Sequence, residues 1–184
     1  MHLRWLTPLG TVALAATAPH VAIAAQLGTL EDAARRAFPD ATAFHDQLLS
    51  ATPDDLKALA ALGGTPPRAA TWHALVAMKG EQPLGWVVAD GVVGKFEVID
   101  YAVSIGADGA VRAVDILAYR ESHGYEVKLP AWRQQFVGKD AHAPLRVGND
   151  IANISGATMS CTHVTEGVRH VVGLVARMRE SHRL

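Results

Sequence analysis

The sequence predicts an α+β fold: a small antiparallel sheet packed against helices, closed by one long C-terminal helix. Three observations predict it. Apolar-rich runs between residues 72 and 119 are separated by turns carrying Gly80, Pro83, Asp108 and Gly109, as successive strands would be. Helix signals lie on both sides of those runs, before residue 63 and after residue 157. A lone sheet cannot bury its apolar side, so one face must pack on those helices.

Residues 1–24 read as a secretory signal. Arg4 supplies a positive start, an apolar run follows from Val12, and Ala22-Ile23-Ala24 makes a small-residue cleavage site before Ala25. Thr17, Pro19 and His20 break the apolar run, leaving it too short for a membrane helix. Neither a lipobox nor a twin-arginine pair is present. The expectation is a protein exported to the periplasm and cleaved near Ala24. Residues 25–71 form a helical N-terminal segment and residues 72–184 the main body of the same domain. That length suffices for one core.

The 17 basic and 18 acidic residues nearly cancel, and no basic stripe carries interleaved aromatics, so nucleic acid is not an expected partner. The single cysteine can form no disulfide within the chain.

Thr29 is a helix cap with Asp32 as its reciprocal partner, and Leu30, Ala34, Ala37 and Phe38 form a stripe that Phe38-Pro39 ends. Ala43–Leu49 reads as a second, short helical segment. Thr52-Pro53-Asp54-Asp55 starts another helix, with cap, proline and first-turn acid in place. Leu56, Leu59 and Leu62 follow before Gly63-Gly64 stops it. Three or four strands come next: Trp72–Met78, Leu84–Ala89, Lys95–Ile105 and, after the Asp108-Gly109 turn, Val111–Tyr119. In the third, Ile99, Tyr101, Val103 and Ile105 share one face, with Asp100 and Ser104 opposite. Pro130–Phe136 is a short helix, 138–149 a loop, and Ile151–Ile154 a brief strand. In the final helix Cys161, Val164, Val168, Val171, Val175 and Met178 recur at three- and four-residue steps, an amphipathic stripe.

Chemistry concentrates where that helix begins, at Ser155-Gly156-Ala157-Thr158. Gly156 permits a sharp turn and close approach to a ligand. A helix starting near Thr158 presents unsatisfied N–H groups and the positive end of its dipole, which suit a phosphate. Thr158 would hold its hydroxyl there, Ser155 and Ser160 add donors, and the small Ala157 leaves room.

With these residues in view, the segment resembles the FMN-binding domain of the covalent-flavin subunits of sodium-pumping NADH:quinone oxidoreductase and ion-translocating ferredoxin:NAD oxidoreductases. The resemblance spans roughly residues 72 to 178. It includes Gly85-Trp86, the run from Ile105 through Val114, Ile116 and Leu117 to Glu121, then Gly124, and Phe136-Val137-Gly138-Lys139. It implies FMN joined by a phosphoester to Thr158, placed there by an exported flavin transferase using FAD and magnesium. It also implies that Glu121, His123 and Gly124 lie against the flavin, with Ser155, Gly156, Ala157 and Ser160 around the attachment point. This chain has Ser122-His123 where the family usually has a threonine and often a proline, and Asn153 where it usually has an acid.

Tyr125 and Trp132 could pack on the flavin ring or cover the core, and Lys139 and Arg146 could offset phosphate charge or face solvent. Cys161 and His163, two apart on a helix, point in different directions and make no dyad. His163, Glu166 and His170 share a face that suits a metal patch or plain solvation. No catalytic residue is assigned. The resulting expectation is an exported electron-transfer module whose partners are the flavin transferase and a membrane or periplasmic redox protein, such as a cytochrome or flavoprotein. Two alternatives stay open: non-covalent binding of FMN or another phospho-ligand, and a cofactor-free exported assembly or binding protein.

Overall fold

The computed structural model describes residues 25–184, so the expected secretory signal lies outside the described residues. In chain order the strands are β1 (Ala25–Gln26), β2 (Ala43–Ser50), β3 (Thr71–Lys79), β4 (Gln82–Val93), β5 (Val98–Gly106) and β6 (Val111–Tyr119). The helices are α1 (Leu30–Ala37), α2 (Pro53–Ala61), α3 (Pro130–Arg133) and α4 (Thr158–Glu180). The α+β expectation holds.

All six strands join one sheet in the order β1-β6-β5-β4-β3-β2, every neighbour antiparallel. Hairpins join β3, β4, β5 and β6 in turn, β2 leads to β3 through α2, and β1 lies at the far edge beside β6. The sheet is therefore wider than the three or four strands expected. Ala43–Leu49 is an edge strand, not a helix, in register with β3 from Ala43↔Met78 to Ser50↔Thr71. Its two anchors, Phe44 and Leu49, belong to different apolar clusters, so no one-sided pattern announces it. Ile151–Ile154 makes only a single bridge, Val147↔Ile151.

Both sheet faces are covered. One packs against α4 and α2, where Tyr101, Val103 and Ile105 meet Cys161, Val164, Val168 and Val171 in the main core. The other packs on α1, where Val87 and Ala102 meet Ala33, Ala34 and Phe38. Ser104, on the second face, is consequently buried, with no hydrogen-bond partner for its Oγ among the described residues. Gly85 is required there: a Cβ would strike the Ile105 carbonyl and the Phe38 ring.

The caps of α1 and α2 form as the sequence implies. Thr29 and Asp32 exchange hydrogen bonds, as do Thr52 and Asp55. Asp55 then reaches further: buried, it receives Arg177 Nε at 2.9 Å and Arg183 Nη2 at 2.8 Å. The start of α2 is thereby tied to the end of α4. No helix among the described residues is long and apolar enough to cross a membrane.

Candidate functional site

The start of α4 stands apart from the starts of α1 and α2. Its N-cap is Ala157, at φ −121° and ψ 20°, with no side-chain hydrogen bond. Alanine is among the poorest capping residues, and a side-chain cap forms from extended backbone. Cys161 N–H reaches back to the Ala157 carbonyl at 2.9 Å. The N–H groups of Thr158, Met159 and Ser160 find no acceptor among the described residues. Gly156, at φ +84°, makes the turn, and open space surrounds its Cα. Thr158 is exposed on the first turn of the helix, and its Oγ1 accepts from Asn153 Nδ2 at 3.2 Å.

These groups open on a cavity of about 420 Å³, lined by Gly156 to Ser160 on one side and by Glu121, Ser122 and His123 on the other. Its size falls in the range of small-molecule and cofactor sites, about 300–1,000 Å³. Lys95 and Phe96, in the turn between β4 and β5, complete the rim. Phe96 is 71% exposed and Met159 45%, leaving two apolar surfaces facing solvent beside backbone donors.

The 121–124 loop is held in place by three contacts. Tyr119 Oη donates to the His123 carbonyl at 2.6 Å, and burial pushes the phenol's pKa up, keeping it a donor. Gly124, at φ +77°, packs so closely that a Cβ there would lie 2.8 Å from Ala157 Cβ and 3.0 Å from Tyr119 Oη. Glu121 Oε1 accepts from Phe96 N at 2.7 Å and Glu97 N at 3.1 Å. Partial burial opposes ionisation of Glu121, but these backbone donors outweigh it and hold its carboxyl below the usual range. Glu121 thus fastens the Phe96 turn to the loop.

Of the residues singled out in the sequence, Gly156, Ala157, Thr158, Ser160, Glu121 and His123 line this cavity, with Ser160 buried. Gly124 supports it from behind. Ser155 is exposed in the preceding turn and does not line it. Tyr125 points away, 58% exposed, with Lys128 Nζ 6.0 Å from its ring. Trp132 is buried, edge-on to Phe136, its Nε1 donating to the Ala152 carbonyl at 2.8 Å. It serves the core. Lys139 is engaged by Asp150 at 2.9 Å and is not brought to the cavity. Cys161 is fully buried, and burial raises its thiol pKa. His163 turns its Nδ1 to the Val93 carbonyl at 2.6 Å, while His170 is buried.

Lys95 and Phe96 were missed because residues 95–97 read as the start of a strand. The structure makes 94–97 a turn, with Gly94 N–H bonded to the Glu97 carbonyl at 2.8 Å. Gly94 was the available signal: a Cβ there would press on Glu121 Oε1.

Residues 94–173 match the family model of the FMN-binding domain. Over that segment the chain is similar to the FMN-binding domain family. The match opens at Gly94, in the Phe96 turn, and closes within α4, so every residue lining the cavity falls inside it. None of the curated proteins compared matches the chain. Amide donors at a helix start suit a phosphate, and Phe96 and Met159 stand exposed near them.

Proposed function

We propose that this chain is an exported flavoprotein that carries electrons on FMN esterified through its phosphate to Thr158. One observation carries the reading. The hydroxyl of Thr158 is exposed at the uncapped start of α4, beside a cofactor-sized cavity, inside the segment that matches the FMN-binding domain.

Attachment by a flavin transferase balances as a phosphoryl transfer. Thr158 Oγ1 forms a bond to the flavin-side phosphorus of FAD, the pyrophosphate bond breaks, AMP departs and the hydroxyl proton is released. The free N–H groups at the helix start face the charge that this phosphorus brings. Bound FMN supplies one- and two-electron chemistry, while the protein supplies orientation and tuning. Phe96 and Met159 offer the ring apolar contact, and the Glu121 carboxylate keeps the Phe96 turn against it. The tether suits an exported protein, from which a dissociating cofactor would be lost. Redox partners would be a membrane or periplasmic cytochrome or flavoprotein.

The test is the intact mass of chain produced with a flavin transferase. The wild type should carry one FMN adduct and Thr158→Ala none. An adduct that persists in Thr158→Ala overturns the attachment site. Yellow colour released on denaturation of the wild type would show non-covalent binding instead.

A further inference from the structure

A second hollow lies against Thr158. It is a groove of about 550 Å³ between α4, the Leu62–Gly64 turn and the 145–148 loop. Thr158 lines both this groove and the first cavity. Asn153, which hydrogen-bonds the Thr158 hydroxyl, lines the groove and not the cavity. The hydroxyl therefore faces the groove. Along α4 the lining continues through Thr162 and Thr165 to Arg169, a spacing that keeps them on one helix face.

Arg169 is nine-tenths buried. One terminal nitrogen donates to the Gly63 carbonyl at 2.6 Å, and its buried Nε has no partner among the described residues. Arg146 lines the groove from the opposing loop. Neither arginine forms a salt bridge among the described residues. The one carboxylate on the groove, Glu166, already accepts from Thr65 N at 2.9 Å. Burial, and then the charge of Arg146, lower the proton affinity of Arg169. Arginine stays charged regardless, so the groove sets two cations against one carboxylate, Glu166, whose charge favours the charged form of Arg169.

We infer that this groove seats the phosphate of the flavin nucleotide, with Arg169 and Arg146 as the cations that receive it. The inference rests on the reading of Thr158 as the attachment residue. Each hollow holds one carboxylate, but the first cavity offers a single lysine, Lys95, which lies over the Phe96 ring at 4.9 Å, whereas the groove offers two guanidinium groups. The ring then occupies the Phe96 side and the phosphate the arginine side, with Thr158 at the junction. Guanidinium forks match phosphate oxygens in geometry as well as charge.

The experiment uses the full chain carrying Thr158→Ala, made without transferase, titrated with FMN and with riboflavin by flavin fluorescence. The two probes share the ring and differ in the phosphate. FMN should bind at least about tenfold more tightly, with the preference shrinking as salt rises. Arg146→Gln and Arg169→Gln should each reduce the preference, and Arg169→Lys should fall between, keeping charge without the fork. The Arg146 side chain makes no hydrogen bond among the described residues, so its variant tests the groove even where Arg169→Gln destabilises the chain. Equal affinities, no binding of either probe, or a preference that survives both glutamine substitutions overturns the inference. Intact mass of transferase-treated wild type judges Thr158 separately: an adduct there with no preference for FMN here sinks the groove alone.

Discussion

Helices α2 and α4 touch each other yet start in opposite ways. At α2, Thr52 and Asp55 close a reciprocal capping box, and Asp55 also binds Arg177 and Arg183. The far end of α4 is equally complete: Arg183 N–H bonds the Met178 carbonyl at 2.8 Å and Ser181 Oγ the Arg177 carbonyl at 2.8 Å. The near end of α4, by contrast, begins on an alanine and leaves its donors open. A chain that builds two capping boxes elsewhere has the means to cap a helix. In the proposed reading, a ligand supplies the acceptor that the start of the longest helix lacks. On that reading, stability and function occupy opposite ends of one element.

The closed end should give the largest stability effect. Asp55→Asn strips the charge from a buried carboxylate that serves two arginines and a cap. Arg177 and Arg183 are partly exposed and can turn to water, which places the loss near the low end for a broken buried pair, about 3 kcal/mol. For a domain of this size the melting temperature should fall by about 6–12 °C. Burial opposes ionisation of Asp55, but the Thr52 amide and both arginines overcome it and hold its pKa far below the ordinary value. Its contribution is therefore fully present above the unfolded carboxylate pKa of about 3.9 and disappears as pH falls below it. Melts of wild type and variant should converge in acid. Flavin loading of folded Asp55→Asn should match wild type, and a loss of loading would break the separation of the two ends.

The next effect tests the open end. Gly124→Ala places a methyl against Ala157 and Tyr119 in a left-handed backbone, costing about 1–2 kcal/mol. Gly138 has a similar φ, +80°, but open space around it. Gly138→Ala should cost about 1 kcal/mol from backbone strain alone and leave flavin loading intact. Gly124→Ala should reduce loading sharply, measured as the fraction of adduct by mass, because the 121–124 loop must back away from the turn that carries Thr158. Equal loading in both variants would mean that the loop does not shape the site.

How much of this was legible follows from the range of the interactions. The capping boxes at Thr29 and Thr52, the β5–β6 hairpin and the stripe from Cys161 to Met178 are set by neighbours a few residues away, and the sequence displays them. Strand β2 is held by pairing to β3 rather than by any periodicity of its own, so its short apolar content read as helix. Ser104 is placed by its alternation opposite Tyr101, but nothing local reveals that α1 covers that face. At the site, Thr158 and Gly156 announce themselves as a motif. The Phe96 turn and the arginine groove do not, since they appear only when residues 94–97, 62–64 and 145–148 converge on α4. Lys139 looked equivalent to Arg146 in sequence, yet Asp150 engages it while Arg146 forms no salt bridge among the described residues.

The smallest effect concerns the carboxylate that joins the two sides of the cavity. Glu121→Gln keeps an oxygen in place for Phe96 N and Glu97 N but removes its charge, and charged acceptors form the stronger bonds. The expected loss is about 1 kcal/mol, confined to the turn. Amide hydrogen exchange at Phe96 and Glu97 should quicken while the core strands stay protected. The Glu121 carboxyl is held below its usual range, so wild-type protection should be full above the ordinary glutamate pKa of about 4.3 and fade as pH falls below it. Glu121→Gln should show no such pH dependence. If these amides exchange equally in both proteins, Glu121 does not hold the turn, and its carboxylate is left facing the cavity where the flavin ring is proposed to lie.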